Sequence, residues 1–213
     1  MSEASPKHFK VGIITASQRQ PRCGDQIATF VLSTLTSHLT THPPASTHSI
    51  SFQPLDLLLL SLPLSSCEPG IPSQIHSPSD YTHPHTQTWS RTISALDGFV
   101  FVTPQYNWGI PAGLKNAIDY LYHEWKGKPA MIVSYGGHGG GKCAEALKVV
   151  LGGGVGMRVV EETVGLAFPD RGVLGKAAGG GDLGLDMGEE SMWAGERGRI
   201  VRVWKEMEGM LGA

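Results

Sequence analysis

An apolar run that empties into a polar, aromatic loop and then into a helical pattern constrains this chain more than any other feature. Gly98 to Val102 is β-branched and aromatic enough to form a strand buried on both faces. Beyond the loop, Leu114, Ala117, Ile118, Leu121 and Trp125 recur at helical spacing. They predict a helix that begins with Pro111 in its first turn and runs to Lys126-Gly127. Pro104 to Ile110 therefore lies at the carboxyl end of a strand, where open α/β sheets place their ligands. Pro104 opens that loop, Gln105 and Asn107 bring amides, Tyr106 and Trp108 bring aromatic faces, and Gly109 lets backbone approach a ligand closely. These groups suit a planar, polar ring, but an ordinary turn with buried aromatics can carry them as well, so the decision falls to two other loops.

The first of these follows a strand at Phe9–Thr15 and precedes a helix that starts near Asp25 and turns Ile27, Val31, Leu35 and Leu39 inward. Ser17, Arg19 and Arg22 then stand beside a helix N-terminus, where hydroxyl and guanidinium donors and the helix dipole favour a phosphate. The segment is neither a GxGxxG nor a Walker loop. Its single glycine, Gly24, suits a terminal monophosphate gripped by side chains. The alternative for this loop alone is a solvated turn with surface arginines.

The third loop, Tyr135 to Lys142, leaves a buried strand at Ala130–Ser134, and its glycines let backbone N–H groups point at a ligand edge. His138 reads as a hydrogen-bonding fixture of that loop rather than a proton donor. Around these three units the chain predicts a second strand in Ser49–Leu60 and a Pro-rich connection over the surface, Ser61–Pro84. Helices follow at His85–Leu96, with Trp89 and Ile93 inward, and at Lys142–Leu151, packing through Ala146, Leu147 and Val150. A strand at Met157–Glu161, extended by Thr163–Phe168, precedes a glycine-laden stretch, Pro169–Gly188, that reads as a mobile flap. The last helix, Met192–Leu211, carries Trp193, Ile200, Trp204 and Met207. Alternating strands and helices predict one α/β domain over residues 1–213, a five-stranded parallel sheet with helices on both faces and all three loops along one edge.

Composition narrows the function. The formal net charge of −2, without a basic stripe or a basic amphipathic helix, argues against nucleic acid and against membrane insertion. No apolar run approaches ~18 residues and the polar start has no signal-peptide core. Three cysteines (Cys23, Cys67, Cys143) without a CxxC pair fit a reducing compartment, hence a cytoplasmic protein. His76, His83 and His85 lie in or beside the connection with no completing carboxylate or thiolate pattern, so no metal site is expected.

With these loops read, Ala16-Ser17-x-Arg19, Thr103-Pro104-Gln105-Tyr106-Asn107 and Ser134-Tyr135-Gly136-Gly137-His138-Gly139-Gly140 resemble the motifs of the NADPH-dependent FMN reductase family, above all its fungal FMN-dependent NAD(P)H:quinone reductases. The resemblance spans roughly Lys10 to Leu166 and implies a flavodoxin-like three-layer α/β/α sandwich with strand order 2-1-3-4-5. It implies that Ser17 and Arg19, with Arg22 less firmly matched, hold the FMN phosphate. Pro104, Gln105, Tyr106, Asn107 and Trp108 would contact the isoalloxazine and ribityl chain, and Tyr135, Gly136 and Gly137 the pyrimidine edge. Gln105 stands where many members carry Glu, which removes a negative charge near the flavin. NAD(P)H is the implied co-substrate and a quinone the implied acceptor, azo compounds, free flavin and metal oxyanions being chemically equivalent choices. No catalytic acid–base pair is expected, because the flavin carries the chemistry. The family also implies a homodimer or a dimer of dimers, with Asn116, Asp119, Tyr120 and His123 on the outward face of the third helix. The rival readings are a flavodoxin-type electron carrier, which the near-neutral charge disfavours, and a flavin-binding regulatory module.

Overall fold

The computed structural model describes residues 7–44, 48–60, 62–64 and 68–212. Ser61, Cys67 and the first six residues, which figure in the expectations above, lie outside the described residues. The sheet is parallel and orders β2 (His48–Asp56), β1 (Lys7–Thr15), β3 (Gly98–Pro104), β4 (Pro129–Gly136) and β5 (Arg158–Val159), with β6 (Val164–Ala167) also paired to β4. This is the expected order 2-1-3-4-5, with one correction. The fifth position is filled by two short strands, giving six among the described residues: Pro129–Ala130 pair with β5, and Val133–Gly136 pair with β6. The break has a local cause. Between the two strands the Glu162 carboxylate accepts from Arg199 and Arg202, and the Thr163 carbonyl accepts from Arg199, which draws the chain off the ladder toward the last helix.

Alternation along the central strands builds two cores. Val11, Ile13, Val100, Val102, Met131 and Val133 face α1 (Gly24–Thr41) and α6 (Arg197–Glu208), joining Ile27, Val31, Leu35, Ile200 and Trp204. Ile14, Phe99, Phe101, Ala130 and Ile132 face α2 (Pro84–Ser94), α3 (Ala112–Asp119) and α4 (Gly141–Lys148). Both faces are covered, as a doubly wound parallel sheet requires, and every residue of β3 is buried. Among the described residues no helix is long and apolar enough to cross a membrane.

Three helices depart from expectation. Helix α3 begins after Pro111 and stops at Asp119, although Leu121 and Trp125 remain buried as predicted. Its end is diverted by Glu124, whose buried carboxylate accepts the Tyr122 N–H at 3.2 Å along with the Tyr81 hydroxyl at 3.2 Å and the Ser90 hydroxyl at 2.6 Å. Burial, with the adjacent Glu124 charge, pushes the Tyr81 phenol well above its usual range. Helix α4 ends at Lys148 and loosens into a π-turn at Val149–Gly154; its buried residues are Cys143, Ala144 and Leu147, so Ala146 is only half-buried. The stretch expected to be a flap instead carries α5 (Arg171–Ala178), whose N-cap Asp170 accepts the Val173 N–H at 2.9 Å.

Of the four residues expected on the outward face of α3, Asp119 is exposed and the other three are not. Tyr120 is only 5% exposed and its hydroxyl donates to the Pro63 carbonyl at 2.5 Å. Asn116 donates to the Leu62 carbonyl and His123 to the Ser73 carbonyl. The Pro-rich connection therefore lies against these residues, and it buries Tyr81 rather than running wholly over the surface.

Candidate functional site

The carboxyl ends of β1, β3 and β4 converge on a cavity of about 190 Å³. Its lining brings together Ser17, Arg19 and Arg22 from the first loop, Pro104, Gln105 and Tyr106 from the second, and Tyr135, Gly136 and Gly137 from the third. Asn107 and Trp108 are not part of that lining. They form the tip of a tight turn in which Tyr106 and Gly109 exchange backbone hydrogen bonds of 3.2 and 2.9 Å. Both tip residues have positive φ, 48° and 67°, as a type I′ turn demands, and Trp108 stands 71% exposed. Asparagine tolerates that conformation; tryptophan is strained in it.

The two arginines of the first loop play different parts. Arg22 makes a bidentate ion pair with Asp56 at the end of β2, and its Nη1 also donates to the Ser17 carbonyl at 2.6 Å. Burial alone raises the Asp56 carboxyl, but the bonds from Arg22 and the Leu58 N–H outweigh it and hold it below the usual range. Arg22 thus braces the loop and has its charge neutralised. Arg19 instead lays its guanidinium over the Tyr106 ring, 3.7 Å from the centroid, and remains exposed at the cavity. Beside it, the 18-residue α1 starts without a side-chain cap, so its first N–H groups and dipole are open to an anion. Ser17 is buried and shares a 2.9 Å hydrogen bond with the Tyr106 hydroxyl, which ties the first loop to the second.

Two details orient the remaining polar groups. The Cys143 N–H donates to Gln105 Oε1 at 3.1 Å; since a backbone N–H only donates, the amide orientation is fixed and Nε2 remains a donor. The Tyr135 hydroxyl lies beside Ser17, is fully buried and has no hydrogen-bond partner among the described residues. Burial drives its phenol far above its ordinary range, so it is a neutral group at every working pH. Gly24 is required here: a Cβ at that position would stand 2.7 Å from both Ser17 Cβ and the Tyr135 hydroxyl.

Sequence reasoning missed the fourth wall. Phe168 and the α5 residues Leu174, Ala177 and Ala178 line the same cavity. The signal was faint, an Asp170 able to cap and alanines four and three residues apart from Leu174, hidden among glycines. Cys23 also lines the cavity, and burial pushes its thiol up, away from thiolate reactivity.

Comparison with known proteins finds flavin reductases among the chain's relatives. The model of the family described as NADPH-dependent FMN reductase matches residues 9–169. NAD(P)H-dependent FMN reductase LOT6 of Saccharomyces cerevisiae is 49% identical over 146 residues, covering 68% of this chain and 74% of that protein. NAD(P)H-dependent FMN reductase ntnL of a Nectria species is 32% identical over 206 residues, 95% of this chain and 96% of the relative. Among solved structures, the flavoenzyme NAD(P)H:(acceptor) oxidoreductase FerB of Paracoccus denitrificans superposes with a TM-score of 0.64 at 19% identity, over 95% of this chain and 99% of that one, a likeness of fold.

Proposed function

The chain belongs to the NADPH-dependent FMN reductase family, and from that premise we propose that it is an FMN-dependent NAD(P)H oxidoreductase that reduces quinones in the cytoplasm. FMN is the family's cofactor and NAD(P)H its electron donor. The observation that carries the reading is the convergence of three separate loops, a free guanidinium and an uncapped helix N-terminus on one cavity. The donor set fits FMN: the exposed cation Arg19 and the uncapped first turn of α1 suit a phosphate, and the buried Tyr135 hydroxyl lies beside Ser17 at the same cavity.

In this reading Ser17, Arg19 and the first N–H groups of α1 hold the phosphate, while Arg22 keeps the loop in shape by gripping Asp56. Pro104, Gln105 and Tyr106 bind one side of the ring system, and Tyr135, Gly136 and Gly137 its edge. Asn107 and Trp108 contribute from the rim of the cavity rather than its wall. FMN, when bound, supplies the redox chemistry, accepting hydride from NAD(P)H and passing the electrons to an acceptor. The chain's part is to orient the ring and to aim donors at it. With FMN bound, the Nε2 of Gln105 and the glycine N–H groups of the third loop would be donors for negative charge on the ring, an effect strengthened where water is excluded.

One face of a bound flavin would serve donor and acceptor in turn, so the expected kinetics are ping-pong. Initial rates with NADPH and a quinone should give parallel double-reciprocal lines; intersecting lines would contradict a shared site. Purified protein should be yellow and release FMN on denaturation. We assign the protein to a homodimer, on the ground that Leu59, Leu64, Ile71 and Trp108 expose large apolar side chains in the β2–α2 connection and just before α3. Sedimentation at micromolar concentration should then give at least twice the mass of one chain.

A further inference from the structure

We propose that Gln18, which does not line the cavity, is the positioning residue of the first loop: it holds Ser17 and Arg19 where a flavin phosphate would meet them. The proposal rests on the FMN reading above and concerns what sets the shape of that loop.

The backbone of the loop has little to hold it. Its last bond to the sheet runs from the Ala16 N–H to the Val102 carbonyl at 2.9 Å, and α1 takes over where the Cys23 carbonyl accepts the Ile27 N–H at 3.1 Å. Among the described residues, no backbone-to-backbone hydrogen bond is made by residues 17–22. Side chains must fix this stretch, and two of them reach the exit of β2. Arg22 grips Asp56, and Gln18 donates from Nε2 to the neighbouring Leu57 carbonyl at 2.9 Å. Leu57 is a firm anchor: it is buried in the core on the α3 face, and its N–H donates to the Thr15 carbonyl at 3.1 Å.

A second element is shaped around the same side chain. Gly113 lies in the first turn of α3, and a Cβ there would stand 1.5 Å from Gln18 Oε1 and 2.3 Å from its Cδ. The Gln18 amide thus occupies the space that a side chain at position 113 would fill. While Gln18 is held by Leu57 and α3, the residues on either side of it meet Tyr106, Ser17 through a 2.9 Å hydroxyl bond and Arg19 by laying its guanidinium over the ring.

The consequence concerns Arg19. It is exposed and rests on an aromatic face, a contact with less directionality than a hydrogen bond, so the place of its guanidinium depends on how the backbone at Gln18 is held. Without that anchor the loop must be ordered when the phosphate binds, and the ordering is subtracted from the affinity. Riboflavin, which lacks the phosphate, makes no call on the loop.

The test is calorimetric titration of the full chain, freed of flavin, with FMN and, separately, with riboflavin. The natural chain is compared with Gln18→Ala, Gln18→Leu, Gly113→Ala, and Gln18→Ala combined with Gly113→Ala, each checked for folding by circular dichroism. Gln18→Ala and Gln18→Leu should each weaken FMN by about tenfold and riboflavin by no more than about twofold. Gly113→Ala should do the same, because its Cβ pushes the amide off Leu57 while the first loop keeps its sequence. In the combined variant that Cβ enters space already vacated, so FMN affinity should fall no further than in either single change. A leucine that restores FMN affinity, or losses shared equally by the two flavins, would mark Gln18 as ordinary packing and overturn the proposal. Losses that add in the combined variant, or an unchanged ratio in Gln18→Ala, overturn it as well. A natural chain that binds riboflavin as tightly as FMN, or binds neither, instead overturns the phosphate reading on which the proposal rests.

Discussion

Two clusters of buried and half-buried polar groups lie on this sheet, and they are finished to different degrees. Around Glu124, the carboxylate oxygens receive the Tyr81 hydroxyl, the Ser90 hydroxyl and the Tyr122 N–H, so each group has its partner. Around the cavity, the Tyr135 hydroxyl has none, α1 is uncapped, Arg19 has only an aromatic face beneath it, and two consecutive residues sit at positive φ. A satisfied network is architecture: it ends α3 and pins the Pro-rich connection through its buried residue Tyr81. Unsatisfied donors and backbone strain at a strand's carboxyl end are what a ligand completes. The contrast separates folding from function within one sheet.

The largest expected effect tests the finished cluster. Glu124→Ala strands two hydroxyls and an N–H in apolar surroundings, and should cost about 3 kcal/mol or more in urea unfolding. An unchanged midpoint would mean that water replaces the carboxylate there, and the contrast would fail. On the unfinished side, Arg19→Ala should weaken FMN by roughly 1.5 to 3 kcal/mol, the range for hydrogen bonds to a charged group, with stability barely changed. Arg22→Ala should do the reverse in character, destabilising the fold because Asp56 is left without its partner. Asp56 is held below its usual range, so its pairing contributes stability above the unfolded carboxyl's pKa and loses it as pH falls through the folded one. Stability measured down through acid pH should thus fall more steeply in the natural chain than in Arg22→Ala. Equal FMN affinities for the natural chain and Arg19→Ala would remove Arg19 from the site.

The two clusters also differ in how far they could be read from the chain. Near-continuous apolar runs in Phe9–Thr15, Gly98–Val102 and Ala130–Ser134 announce strands covered on both faces, and the turn chemistry of the loops between them announces the ligand edge. The three loops are local in sequence, so their positions at strand ends follow from the strands alone. What escaped is long-range. Nothing near Tyr120 says that Pro63, 57 positions earlier, will cover it. The end of α3 depends on a carboxylate whose other partners lie in the connection and α2. Helix α5 hides behind Gly172, Gly175 and Gly179, poor helix formers, and is held by an aspartate cap and by burial of Ala177 against the cavity.

A smaller effect belongs to the finished side. Lys128 donates to the Ile93 and Ser94 carbonyls at the end of α2, and burial pulls its ammonium down from the usual lysine value to about 8, against the pull of Asp97 and Glu124. Below that pH both folded and unfolded chains hold the proton. Between about 8 and the unfolded value of 10.5 only the unfolded chain does, so stability from this group rises with pH across that window. Melting temperatures from pH 7 to 10.5 should therefore rise in the natural chain relative to Lys128→Met. A parallel pair of curves would show that the ammonium stays charged and solvated.

The smallest effect comes from the tip of the second loop, and it asks whether strain at the cavity is retained at a cost in stability. Asn107 and Trp108 both occupy the left-handed region, and the Trp108 side chain is largely exposed, so the fold gains little from its indole. In the type I′ turn that Tyr106 and Gly109 close, glycine is the favoured second residue. Trp108→Gly should relieve the strain and stabilise the chain by about 1 kcal/mol, since a left-handed conformation costs an L-residue roughly 1–2 kcal/mol and glycine offsets part of that gain by its greater freedom when unfolded. The same change removes an aromatic face at the rim, so the KM for a quinone should rise while FMN affinity, set by the walls, changes less. A loss of stability instead would mean that the indole holds the loop in place, and Trp108 would then belong with the Glu124 cluster as architecture.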